Sequence, residues 1–544
     1  MATRETDIAV IGGGLSGIAL GSYLRMLYPD TTFHIYEREY SMGGTWHINQ
    51  YPGCACDVPS SLYSFSFAQT SSWSKAYPSA PELKTYALSV ASTYNLPERT
   101  SLRTEVLNAA WDDTTSRWIV HLWDLNSNET YKHISKILFN CAGFLITPYT
   151  PPFPGRDIFT GPQIHSARWD PKVSLEGKKV AVIGNGCTAS QLVPSIAPEV
   201  AHLIQFMRSA HWIQPPIMLP QIKALTWVMN QLPIFQQIHR FLVFLYAESD
   251  FSVQSPGRFG KFRRTFKANW VKRYMLKKSP KKYHHLLIPD FEIACKRRIY
   301  DSEPSYLSCL HNDNVELTKD CVERLTETGV VAAGREIPVD VVIYATGFAT
   351  GDIMQGLKIA GRDGKDLGTE WKENGGAGAY EQTAVSGWPN FFMVLGPNSA
   401  TGHTSALMAA ENTILFALRV LDPVLKGEAI SVEPTKQAEI SYVNSVQSAL
   451  KGSVFEKGCS SWYRNKETGW NASIYPWSQV TYWWRSLFVQ KKDWIVKWIK
   501  PQQKKLGGMW VLAAVTVLFA VLAAGSVNTL STALKMMVLT IKRD

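Results

Sequence analysis

Apolar and polar positions along this chain fall into two alternating registers. Ile8-Ala9-Val10-Ile11 is an unbroken apolar run, which predicts a strand buried on both faces. Ile18 to Leu27 predicts a helix, and Phe33-His34-Ile35-Tyr36 reads as the next strand. Between the first strand and the helix lies the turn Gly12-Gly13-Gly14-Leu15-Ser16-Gly17. Trp111 to Trp123 alternates around a turn, the pattern of a hairpin. Ile137 to Cys141 is a further buried strand, and the proline-rich Pro148 to Pro154 marks a boundary. The opening pattern then recurs, with Val180 to Ile183 as strand, Gly184-Asn185-Gly186-Cys187-Thr188-Ala189 as turn, and His202 to Phe206 as the following strand.

Residues from about 215 to 289 break this second unit with a stretch of helical character. Ala224 to Leu245 is apolar but is interrupted by Pro233, His239 and Arg240, so it is not a spanning helix. The segments 315–317, 339–348 and 391–398 read as the chain's return to its first unit, followed by a helix over about 405–421. The C-terminus differs. Residues 506–527 carry no charge, and as a helix they would span roughly 33 Å against a hydrocarbon core of about 30 Å. Lys491, Lys492, Lys497, Lys500, Lys504 and Lys505 precede them. The reading is a transmembrane helix with the bulk of the chain in the cytoplasm, at the endoplasmic reticulum; a buried C-terminal helix is the alternative.

The two glycine turns carry the first chemistry. A strand, a tight glycine turn, a helix, a second strand and a closing acid form a dinucleotide-binding unit. Gly12 makes the turn, Gly14 lets backbone approach a pyrophosphate, and Gly17 lets helix pack on strand. Glu37, at the end of the second strand, suits the two hydroxyls of an adenosine ribose and repels a 2′-phosphate. In the second unit Gly184 and Gly186 recur and Ala189 takes the packing position. No acid closes its strand. Arg208 and Ser209 stand there instead, a swap that suits a 2′-phosphate and hence NADPH.

Composition alters this picture in two places. Of the net charge of +11, much sits in 258–282, which holds Lys and Arg but no acid, interleaved with Phe259, Phe262, Phe266, Trp270 and Tyr274. That run suits an anionic membrane surface better than nucleic acid, or is simply a solvated helical face. The eight cysteines show no paired CxxC spacing, so they read as reduced thiols with no metal site. The first strand starts too early for a signal peptide to precede it.

The intervening motifs carry a resemblance. Phe159, Gly161, His165 and Trp169 of FTGPQIHSARWD match the FxGxxxHxxxW[PD] fingerprint of type I Baeyer–Villiger monooxygenases at every fixed position. Gly43 to Asp57, with Gly44, Thr45 and Trp46, resembles that family's second fingerprint, GGxWxxxxYPGxxxD. Lys296 and Arg297 match its active-site Lys-Arg pair, and Trp462 its C-terminal tryptophan near the nicotinamide nucleotide. Relatives often carry Arg where this chain has Ala55, a subfamily difference that leaves Asp57 in place.

The resemblance implies an α/β fold of two dinucleotide-binding (Rossmann-like) domains, FAD in the first and NADPH in the second. Expected bounds are 1–155 for the first part of the FAD domain, 156–335 for the NADPH domain with its insert, 336–490 for the return and 506–527 for the membrane helix. The implied reaction is oxygen insertion beside a lipophilic ketone through a flavin C4a-peroxide, with molecular oxygen as co-substrate, in secondary metabolism. Arg297 is expected to stabilise peroxide and oxyanion charge, with Asp57 positioning it and Lys296 beside it as a further catalytic group. His165 is expected to fix the linker between domains rather than to move protons. Oxidation of N or S, or hydroxylation, by the same cofactor is the enzymatic alternative; a membrane-tethered flavin-binding scaffold that has lost turnover is the non-enzymatic one.

Overall fold

A computed structural model describes residues 3–217, 232–457, 459, 461–465 and 467–499. The first unit opens with β1 (Thr3–Ile11), α1 (Leu15–Leu27) and β2 (Phe33–Tyr36). After α2 (Thr45–Ile48) and α3 (Ala80–Thr93), the chain forms β3 (Thr100–Ser101), β4 (Thr104–Asp112), β5 (Arg117–Asp124) and β6 (Glu129–Asn140). Strand β1 pairs in parallel with β2 on one side and β6 on the other. The expected hairpin is present, with Trp111 opposite Trp118 across antiparallel β4 and β5.

The second unit is a five-stranded parallel sheet. Its strands are β7 (Gln163–His165), β8 (Lys179–Ile183) and, after α4 (Cys187–Ile196), β9 (His202–Phe206). Strand β10 (Ile213–Gln214) leads toward the insert, in which α5 (Pro233–Ser249), α6 (Phe251–Gln254) and α7 (Gly257–Lys278) follow one another. Val271 and Met275 of α7 are fully buried in the core of this unit, among Leu192, Leu203 and Leu307. The chain then forms β11 (Ile299–Tyr300), paired with β10, and β12 (Val315–Thr318), paired with β9. A three-stranded antiparallel sheet, β13 (Val322–Leu325), β14 (Gly329–Ala332) and β15 (Arg335–Pro338), precedes β16 (Val341–Tyr344).

Here the structure corrects the sequence reading. The runs at 315–317 (β12) and 339–344 (β16) read as part of the return to the first unit, and the expected bound at 336 puts β16 alone within it. Instead β16 pairs with β8 and β7, and β12 with β9, so both complete the second sheet. Short apolar runs look alike in either sheet; only pairing distinguishes them. The chain crosses back at 346–349. There Tyr149 N–H donates to the Gly347 carbonyl (2.9 Å) and Ala349 N–H to the Thr147 carbonyl (2.9 Å), so outgoing and returning links lie side by side.

The return adds β17 (Lys358–Ala360) beside β4 and β18 (Phe391–Met393) beside the end of β6 that β5 leaves free. Helix α8 (Ala406–Leu425) packs on α1, where Tyr23 donates to Glu411 at 3.0 Å. Strand β19 (Ala429–Pro434) later pairs with β20 (Trp494–Trp498).

The expected membrane-spanning element is also corrected. No helix among the described residues is long and apolar enough to cross a membrane. The stretch 506–527 lies outside the described residues. The described residues thus give no support to a spanning helix, or to a membrane partner or membrane location resting on one.

Candidate active site

The first nucleotide cradle is built at the C-terminal end of β1. Gly12 has φ +99°, and a Cβ there would come within 2.8 Å of the Cys141 carbonyl, so only glycine makes this turn beside β6. A Cβ on Gly17 would meet the Gly12 carbonyl at 2.1 Å, which is how α1 gets close to β1. Gly14 is the N-cap of α1 and no side chain caps it, so the first amides of the helix face outward for an anion. Glu37 follows β2 and is buried; its carboxylate accepts from the amides of Gly13 (2.8 Å) and Glu39 (2.9 Å). Burial pushes its pKa up, and the two amide bonds only partly offset that. The loop before Thr45 lies on the same turn, with Gly43 N–H donating to the Gly13 carbonyl at 3.0 Å. A Cβ on Gly44 would approach the Gly14 Cα to 2.8 Å. Trp46 donates to the Tyr63 hydroxyl at 3.2 Å. These residues fit a dinucleotide running past α1 toward the loop that ends in Asp57.

The second cradle is similar and more open. Gly184 has φ +122°, Gly186 caps α4 without a side-chain bond, and a Cβ on Gly186 would meet nothing within 4 Å. Ala189 is fully buried in the packing position. At the end of β9 the structure brings Arg208, Ser209 and Lys296 together. Lys296 Nζ donates to Ser209 Oγ at 2.8 Å and lies over the Phe291 ring at 4.4 Å. Burial and then the neighbouring Arg208 charge lower the Lys296 pKa. Burial, Lys296 and Arg208 push His211 down to about 4. A cluster of cations that repel one another calls for an anion, which fits a 2′-phosphate.

Lys296 and Arg297 are adjacent in sequence but point to different partners. Arg297 Nε donates to Asp57 Oδ2 at 2.8 Å, and Asp57 is its only carboxylate partner among the described residues. The Asp57 charge raises the Arg297 pKa well above its ordinary value. Burial pushes Asp57 up, but the Arg297 charge and hydrogen bond outweigh it and hold the carboxyl below its usual range. The Arg297 side chain is 46% exposed and the Asp57 side chain 20%, so the pair is a charged, oriented group with its open side on the arginine.

Two neighbours escaped the sequence reading. Asp250, between α5 and α6, pairs with Lys267 of α7 (2.6 Å) and reaches Arg298 (3.7 Å), tying the insert to the residue after Arg297. Cys295 and Cys459 form a disulfide, against the expectation that all eight cysteines are reduced. It holds the loop bearing Trp462 and Tyr463 to the segment bearing Arg297. Trp462 is 39% exposed and faces Phe144, while Tyr463 is buried, its hydroxyl pushed up to about 12 by burial. No spacing could have signalled a pair 164 residues apart. The Ala55 departure also has a local explanation. Gln191 of α4 accepts from the Tyr51 hydroxyl (2.7 Å) and donates to the Ala55 carbonyl (2.9 Å), fixing this loop through its backbone.

The Phe159–Trp169 fingerprint lies where the links cross. Phe159 is buried, and a Cβ on Gly161 would strike the Asp340 carbonyl at 2.2 Å. His165 ends β7, a single 3-10 turn spans Ser166–Arg168, and Trp169 packs against the second core, so the segment is not one helix. His165 Nδ1 accepts from the Ala167 amide at 3.1 Å, and its ring lies against Phe348 on the return link. Burial lowers its pKa, against backbone hydrogen bonds that raise it.

The flavin-binding monooxygenase-like family model matches residues 5–222. A Baeyer–Villiger monooxygenase of Pseudomonas aeruginosa is 34% identical over 486 residues, covering 87% of this chain and 88% of its own. The FAD-binding monooxygenase ktnD of Aspergillus niger is 33% identical over 512 residues, covering 91% and 82%. Among solved structures, a closed form of cyclohexanone monooxygenase superposes with a TM-score of 0.78 at 26% identity, over 91% of this chain and all of that one. A cyclohexanone monooxygenase of Rhodococcus sp. Phi1 bound to NADP+ gives 0.77 at 25% identity over 91% of this chain.

Proposed function

The chain belongs to the Baeyer–Villiger monooxygenases, FAD- and NADPH-dependent enzymes, and from that premise we propose that its substrate is a lipophilic ketone, converted to an ester or lactone in secondary metabolism. The balance is ketone, O2, NADPH and a proton giving ester, water and NADP+. When bound in the first cradle, FAD would supply the redox chemistry that links NADPH to dioxygen.

The residues do the rest. The first cradle orients FAD through the α1 amides and Glu37. The second takes NADPH, with Arg208, Ser209 and Lys296 holding its 2′-phosphate. Lys296 thus serves recognition of the nucleotide, while Arg297 faces the chemistry. Held at Nε by Asp57, Arg297 keeps its remaining donors for negative charge that develops on oxygen. Its guanidinium stays protonated at any working pH, so the field it supplies is constant. The observation that carries this reading is the Arg297–Asp57 pair, which joins the segment after the insert to a loop of the first unit, with Lys296 turned to Ser209.

The test is product mass spectrometry under 18O2 with a panel of lipophilic ketones beside matched amines and thioethers. One labelled oxygen in an ester or lactone is expected. Oxygen gain on the amine or thioether alone would reassign the enzyme to heteroatom oxidation and overturn the ketone reading.

A further inference from the structure

We propose that helix α7 is a docking face for the anionic surface of a lipid bilayer, lying in its headgroup layer without crossing it. The helix buries one stripe, Gly260, Arg264, Val271 and Met275. Roughly opposite runs a second apolar row, Phe259, Phe262, Phe266 and Trp270, spaced by three, four and four residues. All four are exposed, Phe262 to 64% and Phe266 to 69%. Single exposed apolar side chains are ordinary on a protein surface; four in line on one helix mark an interaction face.

The charges say what the face meets. Arg258, Lys261 and Lys272 flank the row on one side and Arg263 on the other, with Arg273 and Lys277 at its end. The helix holds no acid. The inward cations Arg264 and Lys267 have carboxylate partners in Glu292 and Asp250; the outward ones have none among the described residues. The row spans about 16 Å along a convex helix, so it needs a flat, yielding apolar phase rather than a small ligand. Aromatic rings at the acyl boundary with lysines and arginines reaching phosphates is the arrangement of an interfacial helix. Helix α5 adds a second exposed row in Phe235, Ile238, Leu242 and Leu245. Neither element depends on the reaction assigned above.

The test uses the full chain carrying Cys321→Ser and Phe266→Cys, labelled at position 266 with an environment-sensitive fluorophore. A control carries the label on the native, exposed Cys321. Each is titrated with vesicles of phosphatidylcholine alone and of equimolar phosphatidylcholine and phosphatidylserine. The expected result is a blue shift at position 266 with the anionic vesicles only, and none at Cys321. Reversing Lys261, Arg263 and Lys272 to Glu should weaken it at least about tenfold, with NADPH oxidation unchanged. No shift at 266 with anionic vesicles overturns the proposal. So does a shift that follows protein concentration without lipid, which would assign the face to a second copy. A shift equal on both vesicle types overturns it as well.

Discussion

At the scale of single residues, the proposed division of work between Arg297 and Lys296 predicts variants that separate cleanly. Arg297→Ala is expected to lower kcat by roughly 10²–10³-fold, the loss typical of one oxyanion donor, with FAD retained. Stopped-flow reduction and product yield check it. Lys296→Ala is expected to raise KM for NADPH about ten- to a hundredfold and leave KM for NADH unchanged, since a charge-assisted bond contributes about 1.5–3 kcal/mol. An equal rise for both coenzymes would remove Lys296 from the phosphate site. The two cradles, though not this role for Lys296, were legible in the sequence because spacing encodes them: Glu37 closes a unit opened by Gly12, and Arg208 replaces its counterpart in the second. The different directions of Lys296 and Arg297 were not legible. Two neighbours in an irregular segment can point anywhere, and here Ser209 and Asp57 decide.

At the scale of elements, the two cradles differ in their tolerance of a methyl group. Gly186→Ala is expected to fold normally, because nothing lies within 4 Å of the new Cβ, yet to weaken NADPH binding by filling pyrophosphate space. Gly17→Ala forces backbone overlap and is expected to lose FAD and lower Tm. Thermal scans with FAD quantitation distinguish the two. The β1–β2–β6 sheet also carries an acid-sensitive group. His133 is fully buried between Tyr36 Oη (2.6 Å) and Thr6 Oγ1 (2.9 Å), and burial lowers its pKa to about 4. Unfolded chain takes up a proton near pH 6.5 and folded chain only near 4. Stability from this group is therefore complete above about pH 6.5 and falls between there and 4. His133→Gln is expected to flatten that part of a stability–pH curve, measured by urea unfolding. Strands and glycine turns were readable from apolar runs; the sheet that β12 and β16 joined was not, because pairing is decided by tertiary context.

At the scale of the whole molecule, the catalytic neighbourhood draws on segments far apart in the chain. Asp57 comes from the first unit, Arg297 follows the insert, and the Cys295–Cys459 bond brings in a loop from the return. The glycine fingerprints announced the cofactors, but no local pattern could announce this convergence. His165 sits where the links meet, and we expect His165→Ala to slow turnover while FAD stays bound stoichiometrically. Unchanged NADPH oxidation with full coupling to product would refute that.

The paired crossings, 147–149 against 347–349, lay the two links between the units side by side. The units are also tied elsewhere, by Arg297 to Asp57, by Gln191 to Tyr51 and Ala55, and by Cys295 to Cys459. A substitution at Phe348 or His165 that shifts the links is therefore expected to load these ties, so that the Arg297–Asp57 bond registers a change made where no reacting atom is touched.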